Sequence, residues 1–335
     1  MDADGTDRHD LSELRPQPAG RTRRHVLAGL AAASFGVICS PSCTGALAAA
    51  ALPFAEIADG IFVRYGVQEE MSAQNGAAIA NIGFIVGERS VAVIDTGTTT
   101  QQGAALKAEI ARVTDRPVSH VIATHVHLDH CFGHGAFAEE IAAGRIANVG
   151  HHKLPQALAE RGGFYLERIR ALSPDFADTR FIPPTTLVQE TATIDLGNRR
   201  LTLRAWPTAH TDNDLTIEDA RTGTLWAADL LFSGRIPVID GSINGWLSVL
   251  EDLGERNAAR VVPGHGPVDT TDTAFARERA YLAALREGVR AAIDAGLGID
   301  ETVRRLADLG RGDWLLFDAV QGRNVVAAYT ELEWE

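Results

Sequence analysis

Cysteine is nearly absent from this chain: three in 335 residues, of which Cys39 and Cys43 lie in the first fifty. Only Cys131 remains beyond them, so the body of the protein cannot close an internal disulfide. Long hydrophobic runs are also missing, and no unbroken apolar run approaches the roughly 18 residues of a membrane span. Basic residues are in deficit, 31 against 44 acidic, for a net charge of −13. Residues 1–50 hold five of each sign, so the whole of that charge falls on the remainder. Such a surface repels phosphate backbones, which excludes nucleic acid as an expected partner, and it offers no basic patch to anionic lipid. Pro- and Gly-rich linkers and internal repeats are lacking too. With 45% hydrophobic residues the chain can bury a sizeable core, so we expect one compact domain over residues 51–335.

The first fifty residues read as a targeting segment. Arg23-Arg24 stands directly before a short apolar stretch, Val26 to Cys39, and the small residues Ala46 to Ala51 offer A-x-A cleavage sites. Basic region, short apolar region and small-residue site form the order of a secretory signal, and the paired arginines resemble the twin-arginine type. The expected destination is the periplasm. Cys39 and Cys43 sit in poor contexts for lipidation, after Ile38 and after Pro41-Ser42.

The body begins with strands, expected at Gly60–Tyr65, Ile79–Val86 and Val91–Ile94, the last two joined by a turn at Gly87–Ser90. The spacing of Ala104, Leu106, Ile110 and Val113 predicts a helix closed before Pro117. A strand at Val118–Ala123 runs into Thr124-His125, followed by a helix over Phe132–Ala143 and a strand near Ile146–Val149. No element is predicted between there and Ala192. Strands are then expected at Ala192–Leu196, Arg200–Trp206, Asp214–Ile217, Thr224–Ala227 and Arg260–Val262. Helices are expected at Ile243–Leu253, Thr271–Ala295, Ile299–Leu309 and Asp318–Leu332. Strands bunched with helices outside imply an α+β fold of two stacked sheets covered by helices. Residues 66–78 read as a surface loop or a mobile flap.

Chemistry concentrates where strands end. His125-Val126-His127-Leu128-Asp129-His130 places four potential metal ligands within six residues. On a turn, His125 and His127 can face one cation while Asp129 and His130 face another. Buried without a metal, the same groups would be unpaired polar atoms and an isolated charge, which packing does not tolerate. Imidazole with carboxylate suits zinc and also iron. Three further candidates follow strands: His210, Asp229 at the end of Leu225–Ala228, and His265 between Gly264 and Gly266. His134, His151 and His152 are candidate pocket residues, His120 reads as structural, Cys131 as a buried small hydrophobe, and Trp246 and Arg323 as pocket-rim groups.

The order Asp95, H-x-H-x-D-H, His210, Asp229, His265 resembles the metallo-β-lactamase superfamily over residues 53–270. The resemblance implies a four-layer αββα sandwich with the site at the sheet edges. It further implies that His125, His127 and His210 hold one metal, that Asp129, His130 and His265 hold a second, and that Asp229 bridges them. Asp95 would orient the ligand loop from behind. Longer strings, Ile79–Gly87, Ala205–Leu215 and the terminal Glu331-Leu332-Glu333-Trp334-Glu335, resemble the quinoprotein relay system zinc metallohydrolases (SoxH-like), exported proteins associated with quinoprotein dehydrogenases. Thr211-Asp212-Asn213-Asp214 departs from the superfamily, where Gly often follows the Thr, and adds negative charge beside the site.

The expected activity is that of an exported zinc metallohydrolase holding two Zn2+ per chain, acting on a small ester, thioester or lactam-like substrate. A hydroxide between two zinc ions would be the nucleophile, steered by Asp129. Two other readings stand beside it: a mononuclear iron sulfur dioxygenase, and a non-catalytic metal-dependent carrier for a quinone cofactor. A degraded ligand set would be expected of a pure carrier, and here the set is complete.

Overall fold

The structure, a computed structural model, describes residues 53–335. The expected targeting segment, with Cys39 and Cys43, lies outside the described residues. A first sheet takes seven strands in chain order: β1 (Phe54–Ala58), β2 (Ile61–Arg64), β3 (Ile82–Val86), β4 (Val91–Ile94), β5 (Val118–Ile122), β6 (Ala147–His151) and β7 (Thr186–Val188). β1 to β4 pair antiparallel, β4 to β7 parallel. Parallel neighbours need crossovers. Those are α1 (Thr100–Val113), then α2 (Leu128–Cys131) with a 3-10 turn (Phe132–Phe137) and α3 (Ala138–Ala142), then α4 (Leu154–Leu172).

The second sheet has five strands, β8 (Thr191–Asp195), β9 (Arg200–Ala205), β10 (Leu215–Asp219), β11 (Thr224–Phe232) and β12 (Arg260–His265), in the order β12-β11-β10-β9-β8. α5 (Ile243–Gly254) makes the parallel crossover from β11 to β12, and α6 (Thr271–Asp294), α7 (Ile299–Arg305) and α8 (Phe317–Leu332) follow. None of the described helices is long and apolar enough to cross a membrane.

Alternation sorts the side chains into layers. Ala92 and Ile94 of β4 face inward to meet Leu203, Ile217 and Trp226 of the second sheet. Val91 and Val93 face outward under Leu106 and Ile110 of α1. Leu225 and Ala227 of β11 face the other way, onto Trp246 and Leu250 of α5 and Leu282 of α6. The result is the αββα sandwich that the sequence implied.

Several elements lie where the sequence places none or places them differently. α4 runs for 19 residues with Leu158, Tyr165 and Ile169 buried. Its Gly162-Gly163 pair looks like a break, yet a Cβ on Gly162 would sit 2.5 Å from the Phe181 ring, so close packing requires the glycine. β7 is an edge strand of three residues, too short to carry a period. The helix expected over Phe132–Ala143 divides into the 3-10 turn and α3. The loop 66–78 is an anchored surface loop rather than a flap at its C-terminal end. Ala77 and Ala78 are buried there, Thr98 Oγ1 donates to Ala77 O (2.6 Å), and Gln102 Nε2 donates to Gly76 O (2.7 Å).

Arg199 clamps the two sheets together. Its Nε and Nη2 donate to both carboxylate oxygens of Asp219 (3.0 and 2.9 Å), and its Nη1 donates to Asp59 O and Val86 O. Burial pulls the Asp219 carboxyl up, but hydrogen bonds from Arg199 and Thr222 and the guanidinium charge outweigh it, and the net shift is downward. A lowered carboxylate contributes stability that is full above its unfolded value of about 3.9 and is lost as pH falls through the folded value. Arg199→Ala is expected to cost about 3 kcal/mol at pH 7 in urea unfolding, because it leaves Asp219 buried and unpaired. The deficit should shrink below about pH 4, where Asp219 takes up a proton in the variant.

Candidate metal centre

Each ligand is set by a local device in the fold. β4 ends at Asp95, which sits at φ 52° with its carboxylate fully buried. Asp95 accepts from Thr124 N (2.9 Å) and Thr124 Oγ1 (2.8 Å), and so fixes the turn after β5 that carries His125 to His130. Asp229 lies inside β11, not at its end as the sequence reading had it. The register slips on both sides of Ala228, whose φ is 49°, and this bulge turns the Asp229 carboxylate inward. A left-handed alanine costs about 1 kcal/mol, a strain stored at the centre of the site. β12 approaches so closely that a Cβ on Gly264 would lie 1.7 Å from Asp229 Oδ1, so no other residue fits there.

The structure brings all seven expected ligands together. His125, His127, His210 and Asp229 form one group and Asp129, His130 and His265 another, with the ligating atoms of each group within 4.8 Å of one another. The Asp229 carboxylate reaches both groups: 3.0 Å to His130 Nε2, 3.4 Å to His210 Nε2, 3.4 Å to His265 Nε2 and 3.7 Å to His125 Nε2. Asp129 Oδ2 stands 3.3 Å from His265 Nε2.

Outer acceptors set which nitrogen of each ring carries its proton. Nδ1–H of His130 donates to Asp95 (2.8 Å), that of His210 to Val238 O (2.8 Å) and that of His265 to Ile79 O (2.8 Å). Thr124 Oγ1 spends its own proton on Asp95 and accepts from His125 Nδ1 (3.0 Å). His127 is reversed, its Nε2–H donating to Asp240 Oδ2 at 2.9 Å. Five rings therefore turn five lone pairs toward one interior. His210 Nε2 and His127 Nδ1 face each other at 3.0 Å, an arrangement that needs a positive charge beside it.

Charge leads to the same requirement. Burial, followed by the neighbouring His130 charge, holds His125 well below the usual histidine range, and burial holds His210 down to about 4. Burial also opposes charge on His130, yet Asp229, Asp95 and Asp129 outweigh it and push that ring up. Asp129 and Asp229 are pulled down by the imidazoles against the cost of burial. With neutral rings the ligand set keeps two buried carboxylates, Asp129 and Asp229, a negative charge that divalent cations neutralise. Nε2 of His125 and His130 and Oδ1 of Asp229 are buried without a hydrogen-bond partner, at about 1–3 kcal/mol each unless a ligand takes them up. The donor set fits divalent metal.

Asp240 was not legible as a site residue: it follows Ile239 in an irregular loop, with no fixed spacing to the ligands. It also accepts from Arg161 of α4. Asp240→Ala is expected to weaken metal binding about 10–100-fold, since His127 loses the partner that fixes its ring. Competition with a chromophoric chelator measures that change.

Other expected site residues lie elsewhere. His134 is buried with Nδ1 2.8 Å from Thr96 Oγ1, and burial lowers it to about 3. His151 accepts from Lys153 N (3.1 Å) at the start of α4, with His152 stacked on it at 4.3 Å. His120 pairs with Ser119 (2.8 Å) on β5. Cys131 is buried, and desolvation raises its thiol far above the ordinary value. Trp246 is not at a rim: it is fully buried, its ring 5.2 Å from His210. Arg323 is exposed on α8. Asp214, expected to add negative charge, instead accepts from Thr211 N (2.9 Å) and Thr211 Oγ1 (2.6 Å) to lock the turn after His210, and burial pushes it up to about 8.

Five inward-facing imidazoles and two carboxylates at the edge of an αββα sandwich define a metal-dependent hydrolase. The chain belongs to the metallo-beta-lactamase superfamily, whose family model matches residues 75–265. It is 29% identical over 245 residues to the acyl-coenzyme A thioesterase MBLAC2 of Homo sapiens, covering 62% of this chain and 79% of that protein. To the MBLAC2 of Gallus gallus it is 30% identical over 217 residues, covering 56% and 72%. Among solved structures, a metallo-beta-lactamase from Pontibacter korlensis aligns at TM-score 0.57 and 17% identity, over 69% of this chain and 99% of that one. A double mutant of the sec-alkyl sulfatase PisA1 aligns at TM-score 0.65 and 17% identity, over 87% and 52%.

Proposed function

We propose that this protein is an exported zinc thioesterase acting on a small acyl thioester, using all seven ligands as a dinuclear site. One observation carries the metal site: five separate outer acceptors orient five histidines with their lone pairs on a single interior. The thioester class is supported by the acyl-coenzyme A thioesterases that the chain is similar to.

His125, His127 and His210 would hold one zinc, Asp129, His130 and His265 the other, with Asp229 between them. Two such ions would supply Lewis acidity for a carbonyl and would lower the pKa of a bound water to about 7. Asp129 would orient the attacking water by accepting a hydrogen bond, with the carboxylate edge that is 11% exposed. Asp95 and Asp240 keep His130 and His127 from rotating out of register. Cys131, buried and held as a thiol, takes no part as a nucleophile.

The Arg23-Arg24 segment supports export to the periplasm by the twin-arginine route. The SoxH-like strings support a functional link to a quinoprotein dehydrogenase there. A reporter fused to residues 1–50 should leave the cytoplasm, and should stay in it with both arginines changed to lysine. A gene deletion that leaves the host's quinoprotein-dependent alcohol oxidation untouched removes the second link. The activity is tested on matched thioesters, oxyesters and lactams with the protein as purified. Thioesters should give the highest kcat/KM, and hydrolysis of lactam or oxyester without thioester would overturn the substrate class.

A further inference from the structure

One cation at the metal centre has no counter-ion. Arg235 follows β11 and is 7% exposed. Among the described residues no carboxylate lies within ion-pair distance of it, whereas Arg199 is buried against Asp219 and Arg161 is paired with Asp240. Its Nε is buried without a partner. Its Nη1 stands 3.2 Å from His265 Nδ1, but that nitrogen carries a proton donated to Ile79 O at 2.8 Å, so two donors meet there and no hydrogen bond forms. A guanidinium is thus held largely buried, without a carboxylate and with its Nε unsatisfied, one imidazole ring away from Asp129 and Asp229. Burying an unpaired charge is costly. The neighbouring charges that favour it, Asp129, Asp229 and more distantly Glu70 of the loop 66–78, include two that the metals would neutralise. With metal in place, Arg235 lacks a negative partner on the protein.

We propose that Arg235 is a substrate-binding residue that receives a carboxylate at the far end of the acyl group, so that the site selects dicarboxylic acyl chains over neutral ones of the same length. A planar guanidinium matches a carboxylate bidentately, and a single buried positive charge beside acidic residues suits a monoanion better than a phosphate dianion. The inference deepens the thioesterase reading and rests on it for the scissile bond, while the anion site stands on Arg235 alone.

The test compares S-succinyl and S-butyryl N-acetylcysteamine, which differ only by a carboxylate in place of a methyl group. The protein as purified should favour the succinyl thioester in kcat/KM. Arg235→Gln should lower the succinyl-to-butyryl ratio about 10–100-fold, mostly through KM, the value of a charge-assisted hydrogen bond. Arg235→Lys should restore part of the preference, and it serves as the second variant if the glutamine substitution does not fold. An unchanged ratio, an equal loss on both substrates, or loss of metal from Arg235→Lys would overturn the proposal and leave Arg235 as a support for His265. Calorimetry with monomethyl succinate and methyl butyrate gives a readout independent of turnover. Monomethyl succinate should bind the parent and not Arg235→Gln. Binding that persists in the variant, or that inorganic phosphate outcompetes as the tighter ligand, overturns the carboxylate site. If neither thioester is hydrolysed, the thioesterase reading fails by itself and the calorimetry still decides Arg235.

Discussion

Asp229→Asn is expected to empty the site of metal and to lower turnover about a thousandfold or more, with the sandwich intact. Asparagine matches the volume of aspartate, so the bulge at Ala228 and the close approach of Gly264 survive the change. What disappears is the negative charge that lies 3.0–3.7 Å from four ligand histidines. Lewis acidity at a carbonyl is worth several kcal/mol of transition-state stabilisation, and each 1.36 kcal/mol is tenfold in rate. Circular dichroism separates this outcome from unfolding, and metal analysis alongside turnover separates it from a defect of substrate binding. An Asp229→Asn protein that keeps its metal and most of its activity would remove Asp229 from the ligand set.

Asp95→Ala is expected to have the second largest effect, on stability and metal binding together. The Asp95 carboxylate touches no other ligand's lone pair; it takes three hydrogen bonds, two from Thr124 and one from His130, at full burial. Its loss leaves buried donors without acceptors and frees the Thr124 turn, at about 3–5 kcal/mol by analogy with removing one partner of a buried pair. Metal affinity should fall about 10–100-fold as His130 loses its orientation. Asp95→Asn should be milder in stability, because asparagine tolerates the left-handed backbone at φ 52° and still offers one acceptor. Urea unfolding and chelator competition read the two effects separately. A variant that loses stability but binds metal as the parent does would reduce Asp95 to a packing role.

The legible parts of the site were those written in consecutive residues. His125 to His130 declare themselves by density of ligands, and His265 by the glycines on either side. The helices with clear 3.6-residue periods, α1, α5, α6 and α8, were likewise readable within a few residues. What stayed hidden depends on contacts between segments far apart in the chain. Asp229 read as a strand end because its apolar run stops there, but β11 continues to Phe232 through a bulge that only pairing with β12 explains. Asp240 and the carbonyls of Ile79 and Val238 decide the histidine tautomers, yet a carbonyl carries no side-chain signature and Asp240 no fixed spacing. Asp214 looked like extra charge because sequence shows a carboxylate and not the turn that consumes it. Arg235 is invisible for the converse reason: its meaning lies in a missing partner.

The most direct test is the metal content per chain of the protein, purified without chelator and measured by mass spectrometry. Close to two zinc ions per chain are expected in the parent, with a marked loss in Asp229→Asn. About one iron per chain would move the chemistry to a dioxygenase on the same scaffold. No metal in the parent, and none taken up when zinc is added, would contradict the central claim that these five histidines and their carboxylates are a metal centre.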